Sequence, residues 1–185
     1  MPEPRNAVRL ETPRLVLCAI TDAHAPDYYR IYSDPECMRY WSQQPAASEQ
    51  ESLERVEADI EMLNAGRGLL WSMLLDGRAI GKCVLFHFDE QNRRAEVGYL
   101  LSREYWGQGL ASEAMGEMIR HAFEALGLHR LEADTDPLNR ASIRLLERLG
   151  FEREGTFRDR WRVYGEWQDS AMFGLLKPDW ERARA

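Results

Sequence analysis

Residues 103–114 read REYWGQGLASEA, and this stretch decides how the surrounding chain folds. Gly107, Gly109 and Ala111 stand directly before a segment of helix-forming residues. Glycine lets a backbone turn sharply and approach a ligand closely, and the free N–H groups at the start of a helix attract anions. The stretch therefore predicts a turn into a helix, either as a phosphate-binding site or as a turn that binds nothing.

Two common phosphate-binding motifs do not fit this stretch. A P-loop needs a lysine followed by Ser or Thr after its second glycine, and no lysine follows either glycine here. A dinucleotide-binding fold needs GxGxxG in a βαβ unit, whereas residues 107–112 read GQGLAS. The remaining phosphate hypothesis is a pyrophosphate cradle made of backbone N–H groups and the helix dipole, to which Ser112 could add its hydroxyl.

The segments before the glycines predict an antiparallel meander. LLWSMLL (69–75) and AIGKCVLFHF (79–88) flank Asp76-Gly77, which is a strong hairpin signal, and AEVGYLLS (95–102) follows a second polar turn. Earlier in the chain we expect a strand over 14–18, a helix over 22–33, and a helix over 48–63 that begins with a capping box of Ser48 and Glu51.

The segments after the glycines alternate between helix and strand. Apolar residues recur at helical spacing over 112–126, namely Met115, Met118, Ile119, Ala122, Phe123 and Leu126. We then expect a strand over 129–136, a helix from Asn139 to Gly150, and two strands joined by a turn at 164–166. This order predicts a single α/β (α+β) domain over residues 1–185, with a mixed sheet.

Composition limits the classes of partner. The 185 residues carry a net charge of −7, and this acidic balance argues against a nucleic-acid partner. No apolar run is long enough for a membrane span, and the N-terminal MPEPRNAVRL has no apolar signal-peptide core. Neither the cysteines nor the histidines have metal-ligand spacing; these are Cys18, Cys37, Cys83, His24, His87, His121 and His129. We therefore expect a cytoplasmic protein with reduced thiols and no metal.

A second motif lies about thirty residues further along the chain. PLNRASIRLLERLGF (137–151) combines Asn139-x-x-Ser142 with a later Leu-Gly-Phe. With ETPRLVL (11–17), AEVGYLLSREYWGQGLASEA (95–114) and DSAMFGLLKPDW (169–180), the sequence resembles the GNAT superfamily of acyl-CoA-dependent N-acyltransferases, and within it the RimJ/RimL-like branch. The resemblance extends from about Glu11 to Trp180.

The resemblance implies a mixed, mostly antiparallel seven-stranded sheet that is splayed at its centre and flanked by helices. It also implies acetyl-CoA as the acyl donor, with its pantetheine arm along strand 95–102 and its pyrophosphate on residues 107–112. The cofactor-binding residues that it implies are Tyr99, Leu100, Leu101, Trp106, Gly107, Gln108, Gly109, Leu110, Ala111, Ser112, Asn139 and Ser142. The superfamily signature has Gln or Arg where this chain has Trp106.

Acyl transfer to an amine requires that the amine lose a proton, that the developing oxyanion be stabilised, and that the thiolate be able to leave. The sequence shows no Ser-His-Asp or Cys-His pattern, which is typical of direct attack in a ternary complex. The resemblance implies that Ser142 contacts or protonates the sulfur and that Glu96 is the base through water. From the residues alone, Asn139 and Ser142 could instead form hydrogen bonds with the backbone at the start of the helix. Glu96 could form an ion pair with Arg93 or Arg94.

Asp159, Glu166 and Tyr99 are alternative bases. Some RimL-like enzymes carry a glutamate after the Gly-Phe motif, but Trp161 aligns with that position here, so the role does not transfer.

The sequence leaves several acceptors open. The resemblance implies a primary amine, either a protein N-terminus of the ribosomal-protein type or a small molecule such as a polyamine, amino acid or antibiotic; a non-catalytic acyl-CoA-binding module is the other alternative. Residues 30–45 correspond to the family's variable acceptor side. Four tryptophans could line an acceptor pocket or pack in the core: Trp41, Trp71, Trp161 and Trp167. The chain could be a monomer or a homodimer.

Overall fold

The strands of the computed structural model, which describes residues 7–184, join into one sheet in the order β1-β2-β3-β4-β5-β6-β8-β7. The strands are β1 (Leu10–Glu11), β2 (Val16–Ala19), β3 (Gly68–Leu75), β4 (Arg78–Asp89), β5 (Arg94–Leu101), β6 (Arg130–Thr135), β7 (Glu152–Val163) and β8 (Glu166–Leu176). The helices are α1 (Ala25–Tyr32), α2 (Pro35–Met38), α3 (Glu49–Asn64), α4 (Leu110–Glu124), α5 (Arg140–Arg148) and α6 (Lys177–Arg182). Neighbouring strands are antiparallel except for β5 and β6.

The predicted meander is confirmed as β3, β4 and β5. Asp76 and Gly77 have φ values of 50° and 80°, so the turn between β3 and β4 needs the left-handed backbone that Asp-Gly allows. The predicted start of α3 is confirmed in part. The Ser48 hydroxyl accepts from the Glu51 N–H at 3.2 Å, but the Glu51 carboxylate accepts from the N–H of Ala47 rather than that of Ser48.

The sheet has eight strands within the described residues, not the predicted seven. The additional strand is β1, which pairs only Leu10 with Leu17 and Glu11 with Val16. Two residues are too few to show the alternation by which a strand is recognised in a sequence. The short helices α2 and α6 were not predicted either, because one or two turns carry little helical periodicity.

The expected splay at the centre of the sheet is confirmed. The parallel pairing of β5 with β6 is limited to Arg94–Glu96 on β5 against Arg130–Glu132 on β6. Beyond Glu96 the two strands separate, while β5 stays paired with β4 as far as Leu101. The result is a V-shaped cleft with one unpaired strand edge on each side.

Helices cover both faces of the sheet. Leu69 and Trp71 of β3 belong to a core that includes the buried stripe of α4, whereas Leu70, between them, belongs to a second core with α1 and α3. This alternation is expected of a strand buried on both faces. The described helices include none that is long and apolar enough to cross a membrane.

Candidate functional site

The loop before α4 is shaped by its two glycines. Gly107 and Gly109 have φ values of 74° and 78°, in the left-handed region that other residues rarely adopt. Gly109 is the residue before α4, so the helix begins at Leu110, two residues earlier than predicted. Within residues 7–184, no hydrogen bond uses the backbone N–H groups of residues 107–112. The turn therefore presents a run of unpaired donors at the positive end of a helix.

An ion pair holds this loop to the N-terminal segment. The Glu113 carboxylate accepts from the Thr12 hydroxyl at 2.6 Å and from the Arg14 guanidinium at 2.6 Å, and Arg14 also donates to the Gln108 carbonyl at 2.9 Å. Burial acts to raise the pKa of Glu113, but these hydrogen bonds outweigh it and lower the pKa below its ordinary value. These contacts hold the loop to the N-terminal segment and leave the backbone N–H groups of the loop free.

The free edge of β5 is the second source of backbone donors. The Leu101 carbonyl accepts from the Trp106 indole N–H at 2.9 Å and from the Cys37 thiol at 3.7 Å, so it points away from β4. Since backbone groups alternate sides along an antiparallel strand, the N–H and C=O of Tyr99 also point away from β4, into the cleft. Burial raises the pKa of the Cys37 thiol to about 11, so this cysteine is a neutral thiol.

A cavity of about 650 Å³ lies between β5, the glycine loop and α5, and we call it the cofactor-side cavity. Eleven of the twelve residues predicted to bind the cofactor line it: Tyr99, Leu100, Leu101, Trp106, Gly107, Gly109, Leu110, Ala111, Ser112, Asn139 and Ser142. Gln108 is outside the lining, because its side chain donates back to the Glu104 carbonyl at 2.9 Å. Arg39, Arg140 and Arg148 add positive charge to the walls.

A second cavity, of about 390 Å³, lies on the other side of the cleft and is here called the acceptor-side cavity. Its walls come from the segment after α2, from strands β3, β4, β5 and β6, from helices α3, α4 and α5, and from the β7–β8 hairpin. Trp41 and Trp161 line it, as the sequence allowed. Trp71 is fully buried in the core, and Trp167 lies on the surface outside both cavities.

Five residues line both cavities, namely Tyr40, Trp41, Tyr99, Asn139 and Ser142. Asn139 caps α5, since its side chain accepts from the Ser142 N–H at 3.1 Å. The Ser142 side chain is buried and provides a hydrogen bond to Tyr99; burial raises the pKa of Tyr99 and this bond partly offsets the rise. The structure therefore brings Ser142, Asn139 and Tyr99 together where the two cavities meet.

Glu96 lies on β5 at the point where the strands separate, and it lines the acceptor-side cavity. Its carboxylate is 3.1 Å from Nδ1 of His87, and its side chain is about a quarter exposed. The pairing with Arg93 or Arg94 that the sequence left open is not formed. Arg94 pairs with Asp89 and Glu132, and Arg93 donates to the Gly127 carbonyl.

His87 and Tyr164 were not predicted as site residues. His87 has a φ of 48° in an irregular part of β4, which turns its side chain toward Glu96. The Tyr164 hydroxyl, at the hairpin tip, donates to the Met38 carbonyl at 2.9 Å. The hairpin thereby reaches across to the end of α2, and both the hairpin and the segment after α2 contribute residues to the lining of the acceptor-side cavity. The alternative bases Asp159 and Glu166 lie outside both linings.

The described residues contain no cluster of His, Cys, Asp or Glu that could hold a metal ion.

Comparison with known proteins identifies the family. Residues 14–152 match the family model described as "Acetyltransferase (GNAT) domain". The chain is 34% identical over 173 residues to the uncharacterised N-acetyltransferase p20 of Bacillus licheniformis, covering 92% of this chain and 97% of that protein. It is 38% identical over 88 residues to the ribosomal protein uS5-alanine N-acetyltransferase of Escherichia coli K12, covering 48% of this chain and 45% of that protein.

A solved structure supports the same fold. The ribosomal L7/L12 α-N-protein acetyltransferase RimL, in complex with coenzyme A, superposes with a TM-score of 0.82 at 20% identity and covers 91% of this chain and 98% of its own. The family model and the relatives show that the protein is an N-acetyltransferase belonging to the GNAT family.

Proposed function

We propose that this protein transfers an acetyl group from acetyl-CoA to a primary amine by direct attack in a ternary complex. The observation that carries the proposal is the meeting of the two cavities at Tyr99, Asn139 and Ser142. One cavity offers unpaired backbone donors suited to a pyrophosphate, and the other contains a carboxylate suited to an amine.

The chain's own residues fit acetyl-CoA. The N–H groups of residues 107–112 would bind the pyrophosphate at the start of α4. The free edge of β5 at Tyr99 would bind the amide groups of the pantetheine arm, as an added strand would. Acetyl-CoA supplies an acyl group that is activated as a thioester. Its bound position would lead toward Ser142, between the two cavities.

Glu96 is the proposed general base for the acceptor. A protonated amine has no free lone pair, so a carboxylate must accept its proton before attack, directly or through water. The exposed His87 ring, 3.1 Å from that carboxylate, is positioned to pass the proton on to solvent. A general base of this kind typically contributes a factor of about 10²–10⁴ to the rate.

Ser142 and Tyr99 are the proposed groups on the leaving side. The Ser142 hydroxyl would hydrogen-bond or protonate the departing sulfur, and Tyr99, whose pKa is raised by burial, stays protonated as a donor to Ser142 or to the sulfur. A backbone N–H on the free edge of β5 would stabilise the oxyanion. Asn139 then acts indirectly, by fixing the first turn of α5 that carries Ser142.

The acceptor that we propose first is a protein N-terminal amine. Relatives named as acetyltransferases of ribosomal-protein alanine and of L7/L12 support this choice. A small-molecule amine is the second candidate, because the acceptor-side cavity has a volume of about 390 Å³, which is within the size range of small-molecule sites. The three free cysteines, Cys18, Cys37 and Cys83, agree with a reducing cytoplasm.

Calorimetric titration with acetyl-CoA, followed by a free-thiol release assay across a panel of amines, tests the proposal. We expect acetyl-CoA to bind and thiol release to depend on an acceptor amine. Binding without thiol release on any acceptor would favour a non-catalytic acyl-CoA-binding module, and absence of binding would contradict both readings.

A further inference from the structure

The acceptor-side cavity has walls on both faces of the sheet. Leu70 and Val84 line it and pack in the core that includes α1 and α3. Four other lining residues belong to the opposite core, which contains the buried stripe of α4, namely Val97, Met115, Ala133 and Leu146. The cavity therefore passes between the two halves of the splayed sheet and reaches its other face.

The register of β5 with β6 places Val97 and Ala133 on the two sides of the gap between these strands. Ala95 pairs with Leu131 on the face that α4 covers, and the pairing ends one residue later. Val97 and Ala133 come two positions further along their strands, so side-chain alternation puts them on the same face. The strands have separated there, and the two side chains flank the opening.

The helix α5 brings Leu146 to the same place. Leu146 follows Ser142 by four residues, so the two side chains lie on one side of the helix, about 6 Å apart along its axis. Ser142 is hydrogen-bonded to Tyr99, and Val97 lies two residues before Tyr99 on the same face of β5. The hydroxyl proposed to contact the sulfur and the Leu146 side chain therefore follow one another along one wall.

The four side chains enclose a buried, apolar end of the cavity. Each is at most 5% exposed, and none carries an N–H, an O–H or a charge. A pocket that offers water no hydrogen-bond partner suits a hydrocarbon group instead. Because protein cores are close-packed, the space between such walls is short, and a group that exceeds it must displace a side chain.

We propose that Val97, Met115, Ala133 and Leu146 form the pocket for the acyl chain of the donor, here called the acyl pocket, and that Leu146 limits the length of this chain. The inference rests on the proposed function, since it places the thioester sulfur at Ser142. The acyl pocket begins beside Ser142 and ends at Leu146. A two-carbon acyl group fits this space, whereas a four-carbon group must displace the leucine.

The test compares the affinities of CoA, acetyl-CoA and butyryl-CoA, measured calorimetrically with the full-length protein and no acceptor amine. CoA has no acyl group, so it reports the rest of the donor site in every variant. L146A lengthens the acyl pocket. L149A is the matched control, because Leu149 packs against the same core directly after α5 and lines neither cavity.

The wild-type protein should bind butyryl-CoA no more tightly than acetyl-CoA, although each methylene that becomes buried typically increases an affinity about fourfold. In L146A the longer chain should fit, and butyryl-CoA should bind roughly 10-fold more tightly than acetyl-CoA. L149A should keep the wild-type order. A wild-type protein that prefers butyryl-CoA, or an L146A variant that keeps the wild-type order, would overturn the inference.

A133V tests the same pocket without removing a core side chain, because the loss of a buried leucine can prevent folding. Valine adds two methyl groups to the acyl pocket and is favoured in a strand. We expect acetyl-CoA to bind roughly 10-fold more weakly, as overpacking typically causes, with the affinity for CoA unchanged. Equal changes in the two affinities would contradict the pocket.

The proposed function fails by a different result. If CoA itself does not bind to the wild-type protein, the acyl-donor assignment and the acyl pocket are both contradicted. If CoA binds and the length of the acyl chain has no effect in any variant, only the acyl pocket is contradicted.

Discussion

The cofactor-side cavity and the acceptor-side cavity are built from different kinds of chemical group. The first presents mainly backbone N–H groups from one continuous stretch, residues 107–112, and from the free edge of β5. The second presents side chains from many separate parts of the chain. Backbone donors are the same whatever the side chains are, which suits a constant substrate such as acetyl-CoA. Side chains differ from protein to protein, which suits an acceptor that varies.

Replacing Glu96 should slow the reaction of the acceptor without changing the binding of acetyl-CoA. E96Q keeps the size of the side chain but cannot accept a proton at neutral pH, so we expect kcat to fall about 100-fold with the affinity for acetyl-CoA unchanged. Steady-state kinetics from pH 5 to 10 and calorimetry measure both effects.

Glu124, an exposed residue on α4, provides the control for this prediction as E124Q. An E96Q enzyme with the wild-type rate and pH profile would remove Glu96 from the mechanism.

Replacing Gly109 should damage the cofactor side alone. G109V puts a β-branched residue at a φ of 78°, where the new Cβ lies 3.5 Å from Arg14 Nη2. The backbone must shift to relieve the strain, which moves the N–H groups at the start of α4. We expect acetyl-CoA to bind about 30-fold more weakly, equivalent to about 2 kcal/mol of strain.

Gly77 offers a matched comparison, because its φ is 80° and nothing lies within 4 Å of an added Cβ. G77V should lower the free energy of unfolding by a similar amount and leave the affinity for acetyl-CoA unchanged. Equal affinities in G109V and G77V would show that the glycine loop does not bind the cofactor.

Removing the hydroxyl of Tyr164 should weaken the binding of the acceptor slightly. Y164F loses the hydrogen bond to the Met38 carbonyl, 2.9 Å long, that joins the hairpin tip to the end of α2. One such bond is worth about 1 kcal/mol, so we expect the KM for the acceptor to rise about fivefold with the KM for acetyl-CoA unchanged. W167F, at an exposed position outside both cavities, is the control. A rise in both KM values would argue against a separate acceptor side.

The smallest effect concerns the anchor behind the glycine loop. Hydrogen bonds from Thr12 and Arg14 outweigh burial and lower the pKa of Glu113 below its ordinary value of 4.5. A carboxylate with a lowered pKa stabilises the fold above its unfolded pKa, and this contribution is lost as the pH falls through the folded pKa. The Tm of E113Q should therefore lie a few degrees below wild type at pH 7, and the gap should shrink below about pH 4.5. A gap that is constant from pH 7 to pH 3 would contradict this account.

The same contrast explains how much could be predicted from the sequence. The glycine loop, the Asn139 cap and the meander each depend on residues close together in the chain, so their spacing carried the prediction. The hydrogen bond between Tyr164 and Met38 joins residues 126 positions apart. The hairpin that carries Tyr164 also contains a bulge, where Asp159 has a φ of 50°, and this bulge left no recognisable pattern in the sequence.

Three polar residues of the acceptor-side cavity, Asp136, Asp169 and His87, were missed for the same reason. Each is an ordinary polar residue in its own segment, and only the register of β6 with β8, or the irregularity in β4, brings it to the cavity. Asp136, which directly follows β6, was the one available signal, because polar residues at the end of a buried strand often face a site. The small strand β1 carried no sequence pattern at all.

Hydrogen exchange with and without acetyl-CoA can show directly whether backbone N–H groups of the glycine loop bind the acyl donor. We expect the amides of residues 107–112, which have no hydrogen-bond partner within residues 7–184, to become protected when acetyl-CoA binds, together with the free edge of β5 at Tyr99. The hairpin tip around Tyr164 should exchange at an unchanged rate. Binding of acetyl-CoA without protection at residues 107–112 would contradict the account.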